Sequence, residues 1–206
     1  MSTFLFFAVL GFGLQMRNAL EQRKRIQFLA HFLNNYRIES LMQTLTDGYL
    51  RAMGEGDADR RQAVWNMLAQ TEQVLIEQVQ GLVADMKPAN PADCRASTLP
   101  VGLPMAVHWL PGAAFDVRKV LKVHAQGIGD VIANVPGLSQ RDRAFRLCAE
   151  LLLMQHSCHW FCKSKMVASA RMVARHQTRY AQLLTAVSPQ TRQAYGRLMG
   201  TGPAGN

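Results

Sequence analysis

No glycine or proline interrupts the chain between Ser139 and Val187, and the first breaker afterwards is Pro189. So long an unpunctuated tract predicts helix. Ser139 stands where a cap belongs, with Asp142 in the capping-box position usually held by Glu. A helically spaced row runs Phe145, Cys148, Leu152, Gln155, His159, Cys162, Met166, Ser169, Val173, His176, Tyr180, Leu183 and Val187. A second row, Leu147, Leu151, Met154, Cys158 and Phe161, covers the neighbouring face. The first half of the tract is therefore expected at the centre of a helical bundle. The second half should bury one stripe and carry a basic back.

The chain must supply neighbours for that helix. Its 206 residues, 49% of them hydrophobic, suffice for one good core. Strand-like alternation is scarce, so the expected class is all-α, a bundle of about four main helices. Residues 17–200 should form a single domain, and the Gly- and Pro-bearing stretch 201–206 a frayed tail. The four cysteines, at 94, 148, 158 and 162, are not spaced like a secreted disulfide framework, and a reducing compartment is the simpler assumption.

Residues 1–16 carry no charge; Arg17 ends the run, and Arg23, Lys24 and Arg25 follow. The run lacks the basic start and small-x-small site of a secretory signal. At ~1.5 Å per residue it is ~24 Å long, short for a span, but thinning and snorkelling by Arg17 make a short span tolerable. The expectation is a membrane anchor, with an interfacial or partner-packed helix as the other reading. Basic residues after a span stay inside. This places the protein at a bacterial inner membrane, amino terminus out and bulk in the cytoplasm.

Beyond the anchor, helical spacing continues from Asn18 to Met53 with no proline to separate the two. His31 lies beside that stripe. Gly54–Asp57 reads as a turn with Asp57 capping a helix over Ala58–Met86. Glu72 and Glu77 fit neither a di-iron motif nor an acid/base pair, and are expected on a solvated or Arg-paired face. Five prolines between 87 and 112 predict an irregular segment packed over the bundle. A further helix over Ala113–Asn134 has His124 as the one polar residue of its stripe, with Gly127 and Gly129 placed for close approach to the central helix. Val135–Gly137 turns the chain, and Ser188-Pro189 opens a last helix ending near Met199.

Chemistry is suggested by Cys158, His159 and Cys162, which share one helical neighbourhood as soft metal ligands would. They need a ligand from another helix. A straight hairpin would set His124 opposite about residue 149, ~15 Å from His159, so His31 is the preferred candidate. Buried core thiols are the competing and favoured reading. No acidic residue follows Glu150, and residues 151–206 carry a net +7 of the chain's +9. Lys163, Lys165, Arg171, Arg175 and Arg179 are the candidates for contact with an anionic surface, lipid before nucleic acid. No nucleotide-binding, metalloprotease or hydrolase motif is present. The expected role is a membrane-anchored interaction, assembly or regulatory protein without catalytic activity and with no obligatory cofactor, partnered by a membrane, another protein or its own copy. A metal, haem or thiol sensor is the alternative.

Overall fold

The computed structural model describes residues 2–135 and 137–200, with side chains from residue 6 onward. The tail expected at 201–206 and Pro136 of the predicted turn lie outside the described residues. The fold is mostly helical, in line with the all-α expectation. Its helices are α1 (Ser2–Leu33), α2 (Ile38–Gly54), α3 (Ala58–Met86), α4 (Ala106–Trp109), α5 (Val117–Ile132), α6 (Gln140–Cys162), α7 (Lys165–His176), α8 (Tyr180–Ala186) and α9 (Pro189–Met199). Two short strands, β1 (Arg95–Ser97) and β2 (Ala114–Asp116), pair antiparallel with Ala96 opposite Phe115.

Most helix ends are written in the sequence. Asp57 accepts the Arg60 N–H at 2.8 Å and opens α3. Ser139 does the same for α6, accepting from the Asp142 N–H and donating to the Asp142 carboxylate. Ser188 caps α9 with Pro189 at its first turn. Asp116 ends β2 and caps α5, and its carboxylate also holds the Arg118 guanidinium at 2.7 Å.

The apolar amino-terminal run continues without a break into the next predicted helix as α1, but that predicted helix, Asn18 to Met53, is divided: α1 ends at Leu33 and α2 begins at Ile38. No described helix is long and apolar enough to cross a membrane. The expected span, and with it the outward amino terminus, is therefore unsupported. The uncharged stretch ends at Arg17, and Glu21, Arg23, Lys24 and Arg25 crowd the next two turns.

The long tract is divided. It breaks at Lys163–Ser164 and again at Gln177, which is left-handed with φ 51°. Neither break has a glycine or proline; contacts made elsewhere impose the first. The Met166 N–H donates to the Pro100 carbonyl, Lys163 donates to Gln22 of α1 at 3.1 Å, and Ser164 turns inward to cap α7. The predicted core row holds only in part. Met166 and Val173, beyond the first break, are exposed, and so is Phe145 before it; Leu183 and Val187 are buried as expected, and Ala144, His156, Trp160, Ala168 and Met172 outside the row are buried too.

The first half of the tract, α6, is central as expected. It packs against α1, α2, α5, α7, α8 and β1. Trp160 near its end donates its indole N–H to the Ser97 carbonyl at 3.0 Å and meets Phe115 edge-on. The small ladder that the sequence reading missed thus clamps the end of the central helix.

Two glycines show how closely helices approach. A Cβ on Gly127 would lie 2.1 Å from Thr191 Oγ1 and 2.8 Å from Glu150 Oε2, so the glycine brings α5 against both α6 and α9. Gly129 instead faces Ile76 of α3 at 3.6 Å.

Glu72 corrects the solvated-face reading, although its arginine partner was foreseen. It is buried, accepts the Tyr49 hydroxyl at 2.6 Å and pairs with Arg143. Three helices, α2, α3 and α6, are tied there. Removing one partner of a buried pair strands a charge, which typically costs about 3–5 kcal/mol. Arg143→Met should therefore destabilise the fold by ~3 kcal/mol in urea unfolding, and adding Glu72→Gln should recover most of the loss.

Candidate functional site

Two groups of polar side chains surround α6, one inside and one at the surface. The inner group exists because α6 is buried on so many sides. Glu150, His156 and Ser157 on α6 and His124 on α5 are fully buried. Polar groups so placed call for partners, and most have them, although His124 Nδ1, His156 Nδ1 and Glu150 Oε2 have none among the described residues.

Ser157 Oγ donates to the Leu153 carbonyl at 2.8 Å and lies 2.9 Å from His124 Nε2 and 3.3 Å from the Tyr195 hydroxyl. A hydroxyl has one proton, and a carbonyl can only accept. The one Ser157 proton therefore serves one contact at a time, and the donor across the His124 contact is set by the imidazole tautomer. His156 bonds Ser169 at 3.1 Å and stacks on Tyr180, ring centroids 4.6 Å apart. Glu150 accepts the Ser188 N–H at 2.9 Å, tethering the start of α9. The hairpin register follows these pairings. His124 reaches Ser157, about two helical turns beyond the straight-hairpin expectation near residue 149, because Gly127 lets Glu150 in and the polar groups then select their partners.

Burial sets their protonation. His124 is pushed down to about 3, by burial first and then by His156. His156 falls to about 4 through burial, then Lys165 and His159. Burial raises Glu150 above the usual carboxylate value.

The outer group lines a divided cleft. One cavity of ≈ 450 Å³ lies between α6 and α7, lined by Gln155, His159, Arg171, Met172, Arg175 and His176. A second, of ≈ 440 Å³, opens on the α1–α2 side, with Leu33, Ile38, Met42, Met154 and Cys158 among its walls. Gln155, His159 and Arg175 border both. Arg171 donates to His159 Nδ1 at 3.3 Å, and Arg175 reaches Glu39 at 3.9 Å in an exposed pair worth little. His159 is lowered by burial and then by Arg171 and Arg175. The lip offers two guanidiniums and a neutral imidazole, chemistry suited to an anion.

Of the predicted ligand set, Cys158 and His159 reach this cleft. Cys162 lies one turn on, toward Arg25 of α1, and His31 is exposed with its ring edge-on to Phe32. Among the described residues no three His, Cys, Asp or Glu side chains form a group able to hold a metal ion. Burial pushes the Cys158 thiol up to about 12 and Cys162 to about 11, so both stay protonated at neutral pH and are poor nucleophiles.

The basic candidates are dispersed. Arg171 and Arg175 share the exposed face of α7, while Arg179 lies past the Gln177 break and starts α8, so the three do not form one ridge. Lys165 sits over the Trp160 and Tyr180 rings at 5.2 and 4.9 Å, and Lys163 is bonded to α1.

Sequence reasoning overlooked Glu150, Ser157 and Tyr195. The signal was there for Glu150, a lone acid inside the apolar run Leu147–Met154. Compared with protein-family models, with curated proteins and with solved structures, the chain matches none.

Two outcomes follow from the protonation pattern. Both buried imidazoles start from an ordinary value of 6.5 and fall to about 3 and about 4, so between these limits the unfolded chain binds protons that the folded chain does not. Stability should fall on acidification through this window, by up to about 1.4 kcal/mol per pH unit for each imidazole. His124→Gln with His156→Gln should flatten that slope in pH-dependent melts, leaving the smaller share of His159 and His176. Arg171→Gln should raise the His159 pKa toward its ordinary value, read by NMR titration of the imidazole.

Proposed function

We propose that this protein is a non-catalytic helical interaction module that docks on an anionic membrane through the apolar stretch of α1. The observation that carries the reading is a row of seven large apolar side chains, Phe6, Phe7, Val9, Leu10, Phe12, Leu14 and Met16, all exposed; Phe12 alone is 66% exposed. A soluble body rarely displays so much contiguous apolar surface without a partner.

The chemistry of that end favours lipid. At ~100° per residue, positions 6, 7, 9, 10 and 12 leave an arc of roughly 140°, which Ala8, Gly11 and Gln15 occupy, so no charged face is left for a helix lying flat in the headgroups. The uncharged stretch of α1, ~22 Å at ~1.5 Å per residue, instead suits entry into one side of a ~30 Å hydrocarbon layer without crossing it. Arg17 then lies at the headgroups, with Arg23 and Lys24 above it. Each basic residue near an anionic surface adds about 1 kcal/mol. Seven apolar side chains at ~1 kcal/mol each, a discounted burial value, supply the larger part. This reading replaces the spanning anchor with one-sided insertion, and it needs no single ridge on α7.

Vesicle sedimentation tests it. The full chain should pellet with vesicles of equal parts phosphatidylcholine and phosphatidylglycerol, less well with phosphatidylcholine alone, and less well at high salt. Deleting residues 2–16 should leave the body folded by circular dichroism and in the supernatant. Equal pelleting of the deleted chain overturns the reading. So does a full chain that ignores vesicles and instead forms an oligomer lost on deletion.

A further inference from the structure

We infer that the segment Pro100–Leu110 is a second membrane contact, with Trp109 seated at the headgroup boundary, and that it fixes how the body faces the bilayer. This rests on the membrane reading above but concerns a different part of the chain.

The segment is fastened to α1 at the level where the apolar run ends. Arg17, the first charge, reaches Met105 Sδ at 3.1 Å. One turn on, the Glu21 carboxylate accepts the Met105 N–H with both oxygens, at 3.0 and 3.2 Å. Met105 is held in the left-handed region at φ 58°, a conformation a side-chain-bearing residue adopts only when its surroundings require it. Gly102 fits so tightly that a Cβ there would come within 3.1 Å of Gln22 Nε2 and 3.3 Å of the Lys163 carbonyl. The segment is thus clamped between α1 and the α6–α7 junction, and its height along α1 is that of Arg17 to Gln22.

What it turns outward is apolar. Val101, Leu103, Trp109 and Leu110 are exposed, and so is Met166, whose N–H bonds Pro100 across the junction. Beside them a cavity of ≈ 420 Å³ between the segment and α1 is lined by Arg17, Lys24, Arg95 and His108 against Glu21 and Asp93. Glu21 is already spent on Met105, so the balance facing outward is cationic. Exposed apolar side chains, a tryptophan among them, on a segment held to α1 at the level of the first charges and next to a basic cleft match the layered chemistry of a bilayer edge: acyl carbons, then carbonyls, then phosphates. Tryptophan prefers that level because its ring is apolar and its N–H seeks a partner. A second protein would satisfy the apolar patch, but it would give no reason for its coincidence in height with the end of the inserting run. The lipid surface accounts for both.

The chain carries its own probe. Trp109 is 65% exposed, while Trp65 and Trp160 are 6% and 1% exposed. Full-length protein is mixed with vesicles of equal parts phosphatidylcholine and phosphatidylglycerol, brominated either near the carbonyls or near the chain ends. Pelleting and tryptophan emission are read on the same samples. The expected result is quenching by the shallow bromines, weaker quenching by the deep ones, and loss of both in Trp109→Phe. Trp109→Ser with Leu110→Ser should weaken partitioning by about tenfold, equivalent to ~1.4 kcal/mol, with unchanged circular dichroism. Pelleted protein whose emission no bromine quenches, or a serine variant that binds as well as the parent, overturns this inference and leaves α1 insertion standing. Failure to pellet at all overturns both.

Discussion

Burying one helix on nearly every side is the constraint from which the rest of this structure follows. An amphipathic helix can send its polar side chains to water, but α6 has almost no outward face to use. Glu150, His156 and Ser157 must be answered from inside, and the answers come from far along the chain: His124 from α5, Ser169 from α7, Tyr195 and the Ser188 amide from α9. Each answer fixes the position of a neighbouring helix more narrowly than apolar contact would, since a hydrogen bond tolerates less displacement than a greasy surface. The short helices after Gln177 illustrate this. Neither α8 nor α9 has the length to hold itself together, and α9 is docked by a carboxylate on its first amide.

Those residues also show what burial does to reactive side chains. The Ser157–His124 contact resembles, from distance alone, part of a hydrolytic centre, but both residues are sealed from solvent. Burial likewise raises the thiols of Cys158 and Cys162, which spacing had put forward for chemistry.

Local signals were legible in the sequence and tertiary ones were not. Asp57, Ser139 and the Ser188-Pro189 pair announced three helix starts, and the limits of α3 could be read directly, because capping depends on residues within one turn. The join of the apolar run to the next helix was visible for the same reason. The break at Ser164 could not be read, since what stops α6 is a carbonyl of Pro100 and an amide of Gln22, sixty and more residues away. That one break rotated the downstream pattern and put Met166 and Val173 outside. Around the cleft, helical spacing brought Cys158, His159, Arg171 and Arg175 into consideration, but it could not show that Arg179 falls beyond a kink or that Lys165 is occupied by two aromatic rings. The β1–β2 ladder was hidden by its brevity, as strands of three residues carry no usable alternation.

The continuity of α1 has a mechanical consequence. Its 32 residues form a single helix, ~48 Å long at ~1.5 Å per residue, and beyond Gly13 no glycine or proline interrupts it before the core to serve as a joint. Phe28 rests against Phe161 with ring centroids 6.1 Å apart, and Leu29 is buried beside it. A rod without a joint behaves as a lever. Reorientation imposed on α1 just beyond Gly13 is not absorbed along the way and arrives as torque at the Phe28–Phe161 contact, where the central helix ends and the kink at Ser164 begins. The clamp between Glu21 and Met105 stands about two turns before that contact and acts as the fulcrum.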